Sequence, residues 1–137
     1  MPEQETVLIV DDDPAVRRGL DLRLRAAGYN TLQCHTAASG LAAARDQRPA
    51  AVILDGSLPD LEGAEFIRRL LESDNLAPIP VVVVSGAEEK RLSSLDAGAV
   101  SFLLKPYDRQ ALLTTVRDAI DGSRNEPSDT ALTVSPF

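Results

Sequence analysis

Five short strand-like runs alternate with five stretches of helical periodicity, and this alternation restricts the fold more than any other feature of the chain. The runs lie at residues 6–10, 29–35, 51–54, 79–84 and 101–104, and all except the second are mainly apolar. Each is too short for a helix, and continuous apolar runs of this length are typical of parallel strands buried on both faces. Strands that alternate with helices form a parallel sheet covered on both sides. The sequence therefore predicts an α/β domain of five strand–helix units.

Capping residues and stop signals define the predicted helices between these strands. Asp13-Pro14 opens the first helix, Thr36 can cap the second, and Asp108 can cap the fifth. Gly28 and Gly98 follow the first and fourth helical stripes, at positions where glycine commonly ends a helix. We expect the helices to cover about residues 14–27, 37–46, 64–73, 88–97 and 109–120.

The composition argues against several classes of protein. One cysteine and one histidine, Cys34 and His35, leave no internal disulfide and no zinc site of nitrogen and sulfur ligands. The net charge of −7, without a block of Lys or Arg, disfavours direct binding to nucleic acid. No apolar run approaches the roughly 20 residues that a membrane helix needs, and the N-terminus lacks the basic segment of a secretory signal. We therefore expect a cytoplasmic protein without direct nucleic-acid or membrane contacts.

The last part of the chain differs in composition from the rest. Residues 122–137 are rich in Ser, Thr and Pro and have no helical or strand period. Such segments are typical of flexible tails and linkers. We assign residues 1–121 to one folded domain and residues 122–137 to a tail or to the start of a linker.

Polar residues directly follow four of the five apolar runs. They are Asp11, Asp12 and Asp13 after the first run, Asp55 after the third, Ser85 after the fourth and Lys105 after the fifth. In an open α/β sheet, ligands bind beyond the carboxyl ends of the strands, where the strand order reverses. We therefore expect several carboxylates, one hydroxyl and one ammonium group to converge on a single crevice.

This combination of groups indicates phosphoryl transfer. Carboxylates in close contact repel one another unless a cation joins them, and oxygen ligands with several waters suit Mg²⁺. A lysine can neutralise an incoming anion, and a hydroxyl adds a hydrogen-bond donor. Each residue alone has an ordinary explanation, such as compensation of a helix dipole by the three aspartates or a turn at Asp55. Their occurrence at four strand ends instead favours attack by the Asp55 carboxylate on a phosphoryl group.

Four motifs carry a family resemblance. In chain order they are VLIVDDD, VILDGSLPDLEG, VVVVSGA and AGAVSFLLKPY. They resemble the acidic pair, the phosphoacceptor loop, the hydroxyl strand end and the Lys-Pro strand end of CheY-like receiver domains from bacterial two-component response regulators. The resemblance covers about residues 6–121. It implies a doubly wound, flavodoxin-like (βα)5 fold with a parallel sheet in the strand order 2-1-3-4-5.

The resemblance also implies a role for each site residue. Asp11, Asp12, Asp55 and the backbone carbonyl of Ser57 would hold Mg²⁺, with Asp12 as a direct ligand and Asp11 acting mostly through water. Asp55 would accept the phosphoryl group, while Ser85 and Lys105 would hold its oxygens. Asp13 falls outside the acidic pair, so we expect it to cap the first helix. A cis bond between Lys105 and Pro106 is implied as well.

A conformational switch and its partners follow from the same resemblance. Ser85 and Phe102 would transmit phosphorylation to the surface formed by the fourth helix, the fifth strand and the fifth helix, with the Phe102 ring turning inward. A sensor histidine kinase or a histidine phosphotransfer protein would supply the phosphoryl group. An output domain, a downstream protein or a second copy of the chain would bind the switched surface. The chain would thus be a signalling domain rather than a conventional enzyme.

The sequence departs from the family pattern at three places. Phe102 stands where the family often has Tyr, Gly56-Ser57 follows the acceptor where bulkier residues are common, and the stretch 85–105 is a residue or two short. The last departure predicts a trimmed fourth helix or a trimmed loop before it.

Three alternatives to a complete phosphorylated regulator remain open. A metal-dependent phosphohydrolase would need a second acid–base carboxylate at the position of Ser57 and a substrate-covering insertion, and the sequence has neither. A receiver that only binds a partner would not need the full set of site residues. The chain can also be either a stand-alone regulator or part of a longer one.

Overall fold

The computed structural model describes residues 4–72 and 78–124, and within them the chain forms one five-stranded parallel sheet. The strands are β1 (Thr6–Val10), β2 (Asn30–Cys34), β3 (Ala51–Asp55), β4 (Val81–Ser85) and β5 (Ser101–Leu104). Their spatial order is β2-β1-β3-β4-β5, and all four neighbouring pairs are parallel. The predicted (βα)5 fold, with strand order 2-1-3-4-5, is confirmed.

Helices cover both faces of the sheet. They are α1 (Pro14–Ala26), α2 (Ala37–Gln47), α3 (Gly63–Leu71), α4 (Arg91–Ala97) and α5 (Arg109–Arg124), with a 3₁₀ turn at Glu88–Lys90 directly before α4. Neighbouring residues of a strand point to opposite faces. Leu8 and Val10 of β1 therefore pack on the face of α2 and α3, where Phe66 is buried, whereas Val7 and Ile9 pack on the face of α1 and α5.

The strand order places a crevice between β1 and β3. From β1 the chain first adds β2 at one side and then returns to add β3 at the other side of β1. Helices that follow β1 and β3 therefore leave in opposite directions, which opens a cleft above the carboxyl ends of these strands. Val10 pairs with Leu54 at this edge, so the residues that follow them are neighbours.

Several predicted boundaries needed correction. β4 begins at Val81 rather than at residue 79, because Pro80 has no N–H to donate to a neighbouring strand. α5 continues to Arg124 instead of ending near Ile120, so residues 122–124 are helical and do not belong to a tail. The predicted end of α3 at Ser73 and the remaining tail residues, 125–137, lie outside the described residues.

The helix predicted at residues 88–97 is divided into two segments, while the shortening relative to the family expected between Ser85 and Lys105 stays a prediction. α4 has seven residues, and the 3₁₀ turn at Glu88–Lys90 replaces its first turn. Among the described residues, no helix is long and apolar enough to cross a membrane.

Candidate functional site

Three carboxylates meet in the crevice between β1 and β3. Asp11, Asp12 and Asp55 each place one carboxylate oxygen within 4.8 Å of the other two. Asp11 and Asp55 are 2% and 8% exposed, while Asp12 lies at the surface. The structure thus brings together the three acidic residues predicted from the sequence, at the carboxyl ends of two adjacent strands.

Asp11 is held in place by backbone contacts but is not fully satisfied. Its Oδ1 accepts a 2.9 Å hydrogen bond from the amide of Asp13, and its own carbonyl accepts one of 2.8 Å from Arg17. Its Oδ2 is buried and has no hydrogen-bond partner, and the Lys105 Nζ lies 3.8 Å away. Burial, with a further contribution from the charge of Asp55, raises the pKa of the Asp11 carboxyl.

Asp55 lies in a similar environment at the end of β3. Its Oδ1 accepts a 3.0 Å hydrogen bond from the amide of Ser57. Burial is the main cause of a raised pKa for Asp55, and Asp12 raises it further, while the Ser57 amide and Lys105 oppose the shift. The two buried carboxylates therefore form a site in which a cation would relieve both the repulsion and the unsatisfied Asp11 oxygen.

The ends of β4 and β5 bring Ser85 and Lys105 to the same edge of the sheet. Ser85 pairs with Leu104, and the amide of Lys105 donates a 2.8 Å hydrogen bond to the Ser85 carbonyl. The Ser85 Oγ accepts a 3.0 Å hydrogen bond from the amide of Ala87. The Lys105–Pro106 peptide bond is cis, as the family resemblance implied. The predicted phosphoryl-binding residues, Ser85 and Lys105, therefore lie at the same edge of the sheet as Asp55.

Gly56 lets β3 approach β4 at the site. A Cβ on Gly56 would lie 3.2 Å from the Ser85 Cβ and 3.3 Å from Val83 Cγ1, closer than such atoms normally pack. The Gly56 amide also donates a 3.1 Å hydrogen bond to the Val84 carbonyl. The absence of a side chain after Asp55, a departure noted in the sequence, therefore has a steric reason here.

Asp13 and Ser57 lie beside the acidic cluster. The Asp13 carboxylate accepts a 2.9 Å hydrogen bond from the amide of Ala15 and caps α1, as predicted. Ser57 has an exposed side chain and contacts Asp55 through its amide. The metal-binding role expected for its carbonyl remains a prediction.

Phe102 is buried, in contrast to the outward starting position that the switch hypothesis assumed. It pairs with Val83 across β4 and β5 and is 7% exposed. The guanidinium of Arg91 lies 4.8 Å from the centre of its ring, and Arg91 also makes hydrogen bonds of 2.7 and 3.0 Å to Glu88. The Phe102 ring therefore already points inward, and the expectation that phosphorylation turns it inward from the surface is wrong.

Sequence reasoning missed two residues that hold the loop after Asp55. Lys90 donates hydrogen bonds of 3.3 Å to the Gly56 carbonyl and 3.2 Å to Glu62. Asp60 accepts hydrogen bonds of 3.0 and 3.2 Å from the first two amides of α2, a helix for which only Thr36 was predicted as cap. The two hydrogen bonds lower the pKa of Asp60. The Pro-Asp turn before α3 was the available signal for Asp60.

Comparison with known proteins gives a consistent result. Residues 7–117 match the family described as the response regulator receiver domain. The response regulator MprA of Mycobacterium avium is 35% identical over 129 residues, which are 94% of this chain and 56% of MprA. A transcriptional regulatory protein of Bacillus subtilis, YkoG, is 33% identical over 133 residues, 96% of this chain and 58% of YkoG.

A solved structure resembles the chain over most of its length. It is the receiver domain of the sensor histidine kinase PA1611 from Pseudomonas aeruginosa, with a magnesium ion coordinated in the active-site cleft. The TM-score is 0.80 and the sequence identity 25%, and the match covers 87% of this chain and 99% of the receiver domain. The chain spans about half the length of the curated relatives that it matches. On the family match over residues 7–117, the chain belongs to the response regulator receiver domains of two-component signal transduction.

Proposed function

We propose that the chain accepts a phosphoryl group on Asp55 in a Mg²⁺-dependent reaction. The observation that supports this most directly is the set of groups around the Asp55 carboxylate. Asp11 and Asp12 lie within ion-sharing distance of it, and Ser85 and Lys105 occupy the adjacent strand ends. In the reaction, a carboxylate oxygen of Asp55 forms a bond to phosphorus while the bond between phosphorus and the donor nitrogen or oxygen breaks. The leaving group takes a proton.

Asp11, Asp12, Asp55 and the Ser57 carbonyl would hold the Mg²⁺. The buried, unsatisfied Oδ2 of Asp11 and the all-oxygen donor set fit a hard divalent cation. When bound, the ion neutralises charge on the phosphoryl oxygens. The chain's own contribution is to aim Asp55 through the Ser57 amide and to supply the ammonium of Lys105 and the hydroxyl of Ser85 to those oxygens.

The phosphodonor would be a sensor histidine kinase or a histidine phosphotransfer protein in the cytoplasm. The relatives include regulators about 1.7 times as long as this chain. An output domain or a separate downstream protein therefore suits the role of the receiver, which would extend to the end of α5 at Arg124. Whether residues 125–137 end a stand-alone regulator or begin a linker is decided by the length of the intact gene.

Signal output would use the surface of α4, β5 and α5. Leu92, Leu95 and Leu104 are exposed there, and Leu103 and residues 88–91 border the same face. A phosphoryl group on Asp55 would give the Ser85 hydroxyl a charged partner, and this would shift the segment between Ser85 and α4. A downstream protein or a second copy of the chain would bind the shifted face.

Intact-mass measurement with acetyl phosphate tests the proposal. With Mg²⁺, the protein should gain one acid-labile phosphoryl group, and omission of Mg²⁺ should prevent the gain. Asp55→Asn should not be labelled. Labelling of Asp55→Asn to the level of the unsubstituted protein would show that another residue is the acceptor.

A further inference from the structure

The chain uses lysine at only two positions, and both lie at the candidate site. Of its 14 Lys and Arg residues, only Lys90 and Lys105 are lysines. Lys105 is the proposed phosphoryl-binding residue, whereas Lys90 has no part in that chemistry. Lys90 is the last residue of the 3₁₀ turn before α4.

Lys90 joins this turn to the loop that follows Asp55. Its Nζ lies 3.3 Å from the Gly56 carbonyl oxygen and 3.2 Å from Glu62 Oε1. The Glu62 side chain is 73% exposed, so this ion pair is screened by water and weak. The contact with the Gly56 carbonyl is partly buried, so water screens it less than the contact with Glu62. The backbone contact is therefore the one that ties the two segments together.

Gly56 is directly connected to Asp55 and contacts β4. It is the next residue in the chain, its amide donates a hydrogen bond to the Val84 carbonyl, and it packs so closely against Ser85 that a Cβ would lie 3.2 Å from the Ser85 Cβ. A change in the position of the Asp55 backbone therefore changes the position of the oxygen that Lys90 binds.

The residue after Lys90 contacts the aromatic ring of Phe102. Arg91, the next residue, lies over the Phe102 ring and is fixed by two hydrogen bonds to Glu88. Lys90 and Arg91 thus bind two different parts of the molecule from adjacent positions. The start of α4 cannot shift without affecting both contacts.

We propose that Lys90 is a positioning residue that couples the loop after Asp55 to α4 through the Gly56 carbonyl. The coupling rests on the proposed function, because a phosphoryl group on Asp55 is the event that moves the loop. Lys90 does not contact the acceptor carboxylate. Its removal should leave phosphorylation intact and separate it from the response of α4 and Phe102.

Amide chemical shifts measured with and without Mg²⁺ and fluoroberyllate, a phosphoryl mimic, test this coupling. In the unsubstituted protein, shift changes should extend from residues 55–57 to residues 88–97 and Phe102. In Lys90→Met, the changes at residues 55–57 should persist and those at residues 88–97 and Phe102 should be lost. Lys90→Arg, which can still donate to the carbonyl, should restore them.

Two control variants separate the contacts. Glu62→Gln removes the charge of the exposed partner and should keep the changes in α4. Arg18→Met removes an exposed cation on α1 and should keep them as well. Changes in α4 of unreduced size in Lys90→Met would overturn the proposal while leaving the acceptor function in place.

A measurement without phosphoryl mimic keeps the two proposals distinguishable. Protein labelled with ¹⁵N-lysine has only two side-chain ammonium signals, so Lys90 can be followed alone. Its signal should exchange slowly with water in the unsubstituted protein and in Glu62→Gln, because the Gly56 carbonyl holds it. Exchange as fast as that of a free lysine would overturn the proposed role of the contact between Lys90 and the Gly56 carbonyl. Failure of the unsubstituted protein to bind fluoroberyllate would contradict the acceptor function instead.

Discussion

At the scale of single residues, the site opposes folding in the absence of a cation. Asp11 and Asp55 are buried beside each other and close to Asp12, and one oxygen of Asp11 has no hydrogen-bond partner. Buried charges without sufficient partners destabilise a folded protein. Lys105, at 3.8 Å from Asp11, offsets only part of this cost.

Asp55→Asn should therefore stabilise the metal-free protein, by about 1 kcal/mol. The Asn side chain keeps an oxygen that can accept the Ser57 amide but removes one of three clustered negative charges. Denaturant unfolding in the presence of a chelator measures the difference. Asp13→Asn is the matched control: it removes a charge from the neighbouring loop after β1 but keeps a good N-cap, so the stability of this variant should change little.

The effect of Asp55→Asn should also depend on pH. Burial raises the folded-state pKa of Asp55 above its ordinary value of 3.8. Between these two pKa values, the folded protein therefore keeps a proton on Asp55 that the unfolded chain has released. The contribution of the Asp55 carboxyl to the free energy of unfolding is present in full below pH 3.8. It is lost as the pH rises through the folded-state pKa. The advantage of Asp55→Asn should thus be small in acid and grow toward neutral pH. An advantage that shrinks as pH rises would contradict the assigned direction.

The sequence identified the chemical groups of the site but not the contacts that hold them. Asp55, Ser85 and Lys105 could be predicted because each follows an apolar strand, and parallel strands place their carboxyl ends at one edge. The roles of Lys90 and Asp60 were missed, because their partners lie far away in the sequence: the Gly56 carbonyl for Lys90 and the first two amides of α2 for Asp60. The contact between Lys90 and Gly56 spans 34 residues and depends on the path of two connections that have no periodic pattern.

At the scale of elements, the approach of β3 to β4 depends on Gly56. Gly56→Ala would press a methyl group against Ser85 and Val83. We expect a loss of about 1–3 kcal/mol in stability, as is usual when a packed interior is overfilled. Phosphorylation of Asp55 should also slow, because Ser85 is displaced. Denaturant unfolding and the rate of labelling by acetyl phosphate measure the two effects.

Gly86→Ala provides the comparison for Gly56→Ala. Gly86 lies in the loop after β4, and a Cβ there would meet no atom within 4 Å. Its stability should remain close to that of the unsubstituted protein. Equal losses for the two variants would mean that the close contact at Gly56 is not what limits the site.

Element types could be predicted from the sequence more reliably than element ends. Apolar runs and helical stripes depend on local periodicity, and all five strands and five helices were found where expected. Near the end of α5, the hydroxyl of Ser123 donates a 3.5 Å hydrogen bond to the carbonyl of Pro78, which lies 45 residues away in the sequence. No local pattern in residues 121–124 indicates that partner.

At the scale of the whole molecule, the proposed metal ligands connect two adjacent strands of the sheet, β1 and β3. Asp11 and Asp12 follow β1 and Asp55 ends β3, so these ligands belong to elements that are buried on both faces. A ligand that binds the folded state and not the unfolded chain stabilises the whole domain. Metal binding at the site should therefore be measurable as global stability.

Mg²⁺ should raise the melting temperature, with a stabilisation of about 1.4 kcal/mol at a concentration ten times its Kd. Asp12→Asn removes an exposed ligand and should lose most of this response, while Asp13→Asn, with its charge outside the cluster of three, should keep it. Thermal unfolding monitored by circular dichroism over a Mg²⁺ titration, at constant ionic strength, measures the response.

Constant ionic strength is needed because a chain with a net charge of −7 gains stability from any added salt that screens its self-repulsion. An equal gain for Asp12→Asn and Asp13→Asn would mean that Mg²⁺ acts by screening and not by binding between β1 and β3.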